Sequence, residues 1–125
     1  MRDANIAVNA IKKEDVFHWW LLLTSPFNKL TSREMRVVEA FLKEEYNLRK
    51  NISDISLARE FLYSTKSRKK IMDEVGLDQS QFNNMLTGLR KKGIFKGKEL
   101  NVSLFPNIST DAKDFKIIFQ FKFNG

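Results

Sequence analysis

The side chains best suited to chemistry lie between residues 75 and 95 of this 125-residue chain. This stretch reads VGLDQSQFNNMLTGLRKKGIF, and its middle is rich in amides and hydroxyls. The polar side chains at its centre are Gln79, Ser80, Gln81, Asn83, Asn84 and Thr87. Asn and Gln can present a donor and an acceptor together to the major-groove edge of adenine. The same residues are equally compatible with an ordinary solvent-exposed helix surface.

Basic side chains surround this stretch. Nine basic and three acidic residues lie between Lys66 and Lys98, so this segment carries +6 of the total net charge of +7. The candidates for neutralising phosphates are Lys66, Arg68, Lys69, Lys70, Arg90 and Lys91. Such contacts position a protein on a duplex without reading its sequence. A charge run of this kind is also compatible with a solvated basic face that binds no nucleic acid.

Residues for catalysis and cofactor binding are scarce in the sequence. The chain has no cysteine and one histidine, His18, within an apolar run. It also has no glycine-rich phosphate loop and no spaced carboxylate pair with a plausible partner. We therefore expect no enzymatic activity, no cofactor, no metal site and no small-molecule substrate. The lack of cysteine fits a reducing compartment, which favours a cytoplasmic location.

The apolar run VFHWWLLL at residues 16–23 is short. A membrane span needs about 20 apolar residues, and Glu14 and Asp15 stand where a signal peptide would be positive. The sequence therefore predicts no membrane partner, and instead a buried helix that ends near Ser25-Pro26. Its all-round apolar character predicts burial against the domain or another subunit. The candidates for an oligomer interface are Phe17, Trp19, Trp20 and Leu21.

The rest of the chain has the composition of one folded domain, with 42% hydrophobic and 12% aromatic residues. We predict an N-terminal extension at residues 1–29, which holds the apolar helix, and a domain at residues 30–125. Thr31 with Glu34, and Asp78 with Gln81, are typical capping boxes at the starts of two helices. Apolar residues at helical spacing predict the inward faces of three helices; they are Met35, Val38, Phe41, Leu42 and Tyr46, then Ile71, Met72 and Val75, then Phe82, Met85, Leu86 and Leu89.

Other boundaries follow from single residues. Ser67 is predicted to cap the helix that contains KKIMDEV, and Gly76 and Gly93 to end the helices before them. Arg36, Glu39, Lys43 and Glu44 are expected on the solvent side of the helix that Thr31 begins. The segment ISLAREFLYS at residues 55–64 is compatible with a short helix or with a strand at Phe61 to Ser64.

The C-terminal residues change to a period of two. Five aromatic or aliphatic residues alternate over nine positions with Lys116, Ile118, Gln120 and Lys122; they are Phe115, Ile117, Phe119, Phe121 and Phe123. Leu100, Val102 and Leu104 alternate as well. With FPNISTDAKD between the two runs as a tip, the pattern predicts a long two-stranded hairpin from Leu100 to Phe123.

The order helix, helix, turn, helix and hairpin resembles the winged helix-turn-helix family. GLDQSQFNNMLTGLRKKGIF is similar to the core of that family, and residues 67–123 carry the likeness. LTSREMRVVEAFL resembles the first helix of regulators of the MarR type, so about two thirds of the chain is covered. The whole layout is similar to small winged-helix proteins encoded by tailed bacteriophages.

The resemblance implies an α+β, mainly helical fold: a winged helix-turn-helix with a C-terminal β-hairpin wing and an extra N-terminal apolar helix. It also implies that the chain is a non-enzymatic protein that binds double-stranded DNA. Such a protein would be a phage or bacterial regulator, or an architectural protein, in the bacterial host cytoplasm. Helix 79–92 would lie in the major groove. Two features depart from the family. Gly88 interrupts this helix at a cost of about 1 kcal/mol relative to Ala, and Asp111 and Asp114 place acids at the predicted wing tip.

A second hypothesis keeps the fold and changes the partner. The chain would be a virion or assembly subunit, such as a ring protein at a phage head-to-tail connector, that uses the winged helix for protein contacts. The contact surfaces would be the predicted hairpin and the segment from Phe17 to Phe27. Under either hypothesis we expect a homo-oligomer or a larger protein assembly.

Overall fold

The computed structural model describes residues 12–116, 118 and 121–124. A 3₁₀ turn at Lys13–Asp15 leads into the helices, which are α1 (Val16–Leu23), α2 (Ser25–Asn28), α3 (Ser32–Asn51), α4 (Ile55–Leu62), α5 (Thr65–Val75) and α6 (Gln79–Lys91). Two short antiparallel strands follow, β1 (Phe95–Lys96) and β2 (Glu99–Leu100), and then a second 3₁₀ turn at Val102–Leu104. The chain is therefore α+β and mostly helical, as the sequence predicts, with a small hairpin after the helices.

Helix α3 lies at the centre of the fold. Its N-terminus has the predicted capping box, in which Thr31 accepts from the backbone N–H of Glu34 and the Glu34 side chain accepts from that of Thr31. Helices α1, α4 and α5 all contact it, so it is buried on more than the one predicted face. The prediction that Glu44 faces solvent is wrong. Its carboxylate is buried and accepts from Lys70 at 3.3 Å, because α5 covers that side of α3.

An aromatic cluster around Phe41 joins α3 to the later elements. The Phe41 ring stacks on Phe82 of α6 at a centroid distance of 6.0 Å and meets Phe95 of β1 edge-on at 5.1 Å. Tyr63, just after α4, lies 6.2 Å away. Aromatic pairs at these distances add to the stabilisation from burial alone. The Phe41 ring thus fixes α6 and the hairpin against the central helix.

The helix ends are mostly where the local sequence predicts them. Gly76 and Gly93 have left-handed backbone angles, with φ of 69° and 76°, and follow α5 and α6. Residues 55–62 form α4, which settles the choice between helix and strand in favour of the helix. The predicted cap at Ser67 is wrong. Helix α5 begins three residues earlier, because the Ser64 hydroxyl accepts from the backbone N–H of Ser67 and leaves the Ser67 side chain buried within the helix.

The apolar N-terminal helix packs into the core of the same chain. Phe17 and Leu21 are fully buried, and the Phe17 ring meets Tyr46 of α3 edge-on at 5.6 Å. Trp20 is half-buried, and its indole N–H donates to the carbonyl of Leu104 at 2.9 Å. Phe17 and Leu21 therefore leave no surface for a second subunit. Of the four predicted interface residues, Trp19 is the exposed one.

The predicted hairpin from Leu100 to Phe123 is wrong. The hairpin formed by the described residues pairs Phe95 with Leu100 and Lys96 with Glu99. The alternating run after Leu100 turns instead of extending, because Asn101 Oδ1 accepts from the N–H and the hydroxyl of Ser103. Such a local side-chain bond competes with strand pairing. The described residues between 115 and 124 form no strand, while the predicted strand residues Ile117, Phe119 and Gln120 lie outside the described residues.

Residues 104–115, here called the C-terminal strap, lie across the helices. Side chains from the helices donate to their carbonyls: Trp20 to Leu104, Arg49 to Ile108 at 2.8 Å, and Tyr46 to Thr110 at 3.3 Å. Asp111 and Asp114 belong to this strap and not to a wing tip. Three backbone carbonyls that a hairpin would pair are thus bonded by side chains of α1 and α3.

Candidate nucleic-acid interface

Helix α6 presents the predicted base-reading residues to solvent. Its buried face consists of Phe82, Leu86 and Leu89. The six polar candidates are all exposed; they are Gln79, Ser80, Gln81, Asn83, Asn84 and Thr87. One continuous polar face therefore lies opposite the apolar one, which is the arrangement that a groove-binding helix requires.

The six side chains differ in how free they are. The Gln81 amide oxygen accepts from the backbone N–H of Asp78 at 3.0 Å and completes the capping box. Gln79 donates to the side chain of Asn83 at 3.0 Å, and the Thr87 hydroxyl donates to the backbone carbonyl of the same residue. Asn84 makes no side-chain hydrogen bond within the part of the chain that the structure describes. Its amide is therefore available in full to an incoming base edge.

The basic residues of α5 also differ in whether their side chains already have a partner. Lys66 and Lys69 are exposed and make no ion pair within the described ranges. Lys70 is also exposed but pairs with the buried Glu44. The Arg68 guanidinium lies 5.6 Å from the centroid of the Phe82 ring, which brings the first half of α5 beside α6. This contact is with the buried face of α6, so it brings α5 close to α6, and Lys66 and Lys69 supply exposed positive charge on the same helix as Arg68.

A second basic group lies at the other end of α6. The Arg90 side chain donates to the carbonyl of Gly97, in the two-residue loop between β1 and β2. This bond holds Arg90 against the loop between Lys96 and Lys98, and these three residues and Lys91 are all exposed. Sequence reasoning counted Lys96 and Lys98 in the net charge and did not select them as contacts. The run FKGKEL at residues 95–100 indicates the hairpin that carries these two lysines, since glycine at the first loop position is typical of tight hairpins. In the structure Gly97 has φ of 60°.

Lys92, the residue after α6, pairs with a buried carboxylate of α3. Its ammonium donates to the Glu34 carboxylate at 2.6 Å and to the carbonyl of Lys29 at 3.1 Å. Burial opposes the ionisation of Glu34, but hydrogen bonds from Lys92 and Thr31 outweigh it and hold the pKa of Glu34 below 4.5. The stability that this carboxylate contributes is therefore present above pH 4.5 and is lost as the pH falls through the lowered pKa.

Other sites offer less chemistry. No group of three or more His, Cys, Asp or Glu side chains is placed to hold a metal within the described residues. An open cleft of about 590 Å³ lies between residues 12–17, α3 and α5, and Lys43 and Lys70 on its wall pair with carboxylates. His18 is exposed, and its Nδ1 lies 3.6 Å from Oε1 of Glu39.

In the part of the chain described, no helix is long and apolar enough to cross a membrane.

Replacement of Gly88 by alanine should stabilise α6 without changing its polar face. A methyl group at this position would meet the Glu34 carboxylate at 3.8 Å, an ordinary contact. Glycine in a helix interior costs about 1 kcal/mol relative to alanine. We expect Gly88→Ala to raise the free energy of unfolding by roughly 0.5 to 1 kcal/mol, as measured by urea denaturation. Gly76→Ala is the control. Its left-handed backbone should make the same substitution destabilising.

Comparison of the chain with protein-family models, curated protein sequences and solved structures finds no match.

Proposed function

We propose that this chain is a non-enzymatic winged-helix protein that binds double-stranded DNA, with α6 in the major groove. The observation that carries the proposal is the exposed amide face of α6, together with exposed basic residues on α5 and at the C-terminal end of α6. Lys66 and Lys69 are exposed on α5, whose Arg68 contacts α6, and Lys91, Lys96 and Lys98 are exposed at the C-terminal end of α6 and in the hairpin that follows. Bases would be read in the middle and phosphates would be neutralised on both sides.

In this proposal the wing is the short hairpin between Phe95 and Leu100. Its loop carries Lys96 and Lys98, so its charge suits phosphate. The acids Asp111 and Asp114 belong to the C-terminal strap, where Lys13 donates to the neighbouring Thr110 carbonyl. They are therefore no obstacle to a basic wing.

The direct test is an anisotropy titration of the protein with duplex DNA at several salt concentrations. Neutralising about six phosphates predicts that log K falls with log salt with a slope near −0.9 per contact, or roughly −5. A protein that binds no duplex even at low salt would contradict the proposed function.

Within this proposal, single substitutions should separate the two kinds of contact. Lys69→Ala should weaken all duplexes alike and flatten the salt slope by about one, whereas Lys43→Ala, which removes a lysine paired with Glu39 and Glu74, should leave the slope unchanged. Asn84→Ala should reduce discrimination between duplex sequences by about 1 to 3 kcal/mol. We expect a smaller change for Asn83→Ala, whose side-chain oxygen already accepts from Gln79. Equal losses on specific and random DNA for both amide variants would show that α6 positions the protein without reading sequence.

One observation favours the alternative, a virion or assembly subunit. The outer face of α1 exposes Trp19, Leu22 and Leu23 at 40%, 41% and 46%. Contiguous exposed apolar residues often mark protein interfaces, and a head-to-tail contact between copies can close a ring. Light scattering distinguishes the two. A monomer at high protein concentration would rule out self-assembly through this face, whereas a ring-sized particle with weak, sequence-indifferent duplex binding would favour the assembly subunit.

A further inference from the structure

The ion pair between Glu34 and Lys92 joins the two ends of the helical domain. Glu34 is in the first turn of α3 and is 6% exposed, while Lys92 directly follows α6. The two are 58 residues apart in the sequence, and their charged atoms are 2.6 Å apart. A charge-assisted bond of this length to a buried carboxylate is among the stronger polar contacts in a protein.

The same carboxylate has further partners that fix its position. One oxygen accepts from both Lys92 and the backbone N–H of Thr31. The other lies 3.8 Å from the place where a methyl group on Gly88 would be. Lys92 also donates to the carbonyl of Lys29, in the turn between α2 and α3. The pair therefore ties this turn, the start of α3 and the end of α6 together.

Lys92 also lies at the junction of α6 and the hairpin. After it, Ile94 donates to the Leu89 carbonyl at 3.0 Å, and the Asn101 side chain donates to the Gly93 carbonyl at 3.4 Å. These bonds connect the end of α6 to both sides of the hairpin whose strands and loop carry Lys96 and Lys98.

Lys91 provides the contrast. It is adjacent in the sequence and also exposed, and its side chain has no ion-pair partner in the described ranges. Two neighbouring lysines that look equivalent in the run RKKG thus differ in their partners. The side chain of Lys92 is 37% exposed and pairs with Glu34, whereas Lys91 is free for a phosphate.

We propose that Lys92 is a positioning residue: paired with Glu34, it sets the orientation of α6 and the hairpin, while Lys91 contacts the DNA. This inference rests on the proposed function of the α6 surface. It differs from a general basic patch, because it assigns the two lysines different roles with separate measurable effects.

The test compares Lys91→Met with Lys92→Met, measuring duplex affinity by anisotropy across salt at a temperature where both variants are folded. Lys91→Met should flatten the salt slope by about one, because it removes a phosphate contact. Lys92→Met should lower affinity by roughly five- to tenfold at every salt concentration and leave the slope unchanged. Lys92→Arg, which keeps the charge next to Glu34, should restore most of the affinity. A slope that falls equally for Lys91→Met and Lys92→Met would overturn the proposal.

A second measurement needs no DNA. Glu34→Gln keeps an acceptor for Thr31 and removes the charge, so the double-mutant cycle of Glu34→Gln with Lys92→Met isolates the ion pair. We expect a coupling of roughly fivefold in the unfolding equilibrium constant. Additive effects of the two substitutions would show that the ion pair between Glu34 and Lys92 does not stabilise the fold, whatever the binding results, and would overturn the proposal. If the wild-type chain binds no duplex while the cycle shows coupling, the proposed function and the positioning role of Lys92 both fail. In that case the ion pair between Glu34 and Lys92 still stabilises the fold.

Discussion

Phe41→Ala should lower the free energy of unfolding by about 4 kcal/mol, the usual range for a buried phenylalanine being 3 to 5. The Phe41 ring contacts Phe82, Phe95 and Tyr63, so its removal leaves a cavity where α3, α4, α6 and the hairpin meet. Urea denaturation followed by circular dichroism measures the loss. Since small domains have only 5 to 15 kcal/mol of stability in total, a loss of this size removes roughly a quarter to four fifths of it.

The matched control for this substitution is Phe61→Ala. Phe61 lies on α4 and is 48% exposed, so the same change in side-chain size should cost less than about 1 kcal/mol. Similar losses for the two variants would contradict the assignment of Phe41 to the centre of the core.

Glu45→Ala should cost about 3 kcal/mol, because it leaves two partly buried guanidinium groups without their counter-ion. Glu45 is 2% exposed and accepts from both Arg49 and Arg59. Arg49 in turn donates to the Ile108 carbonyl of the C-terminal strap. Denaturation should show the loss of stability, and hydrogen exchange should show faster opening at the strap than at α6.

Glu60→Ala is the control for the removal of a negative charge outside an ion network. Glu60 is exposed on α4 and its side chain has no ion-pair partner in the described part of the chain, so its removal should change stability by no more than about 0.5 kcal/mol. Two variants of equal stability would show that the Glu45 carboxylate contributes nothing as the centre of an ion network.

Features set by neighbouring residues in the sequence were predictable. The capping boxes at Thr31 and Asp78 and the left-handed glycines at 76 and 93 depend on contacts a few residues apart, so the pattern alone identifies them. The polar face of α6 belongs to the same class, since a helix with one apolar stripe must expose the residues opposite it.

Features set by distant residues were not predictable. The alternation at Leu100, Val102 and Leu104 is typical of a strand, yet the chain after Leu104 is bonded by side chains of α1 and α3. The Asn101 turn within that run is a local feature, and the alternation outweighed it in the prediction. Glu44 is polar and fits a surface position, yet α5 covers it. The pairing of Lys92 with Glu34 and the free state of Lys91 depend on how α6 meets α3, which the run RKKG does not encode.

The bond between Trp20 and Leu104 has a consequence during protein synthesis. The two residues are separated by 84 positions, which at 5 to 20 residues per second is roughly 4 to 17 seconds of translation. Throughout that interval α1 exists without the strap residues that bond and cover Trp20. A nascent chain paused before residue 104 should therefore expose this tryptophan to chaperones and to other nascent chains, whereas the released chain of 125 residues should not.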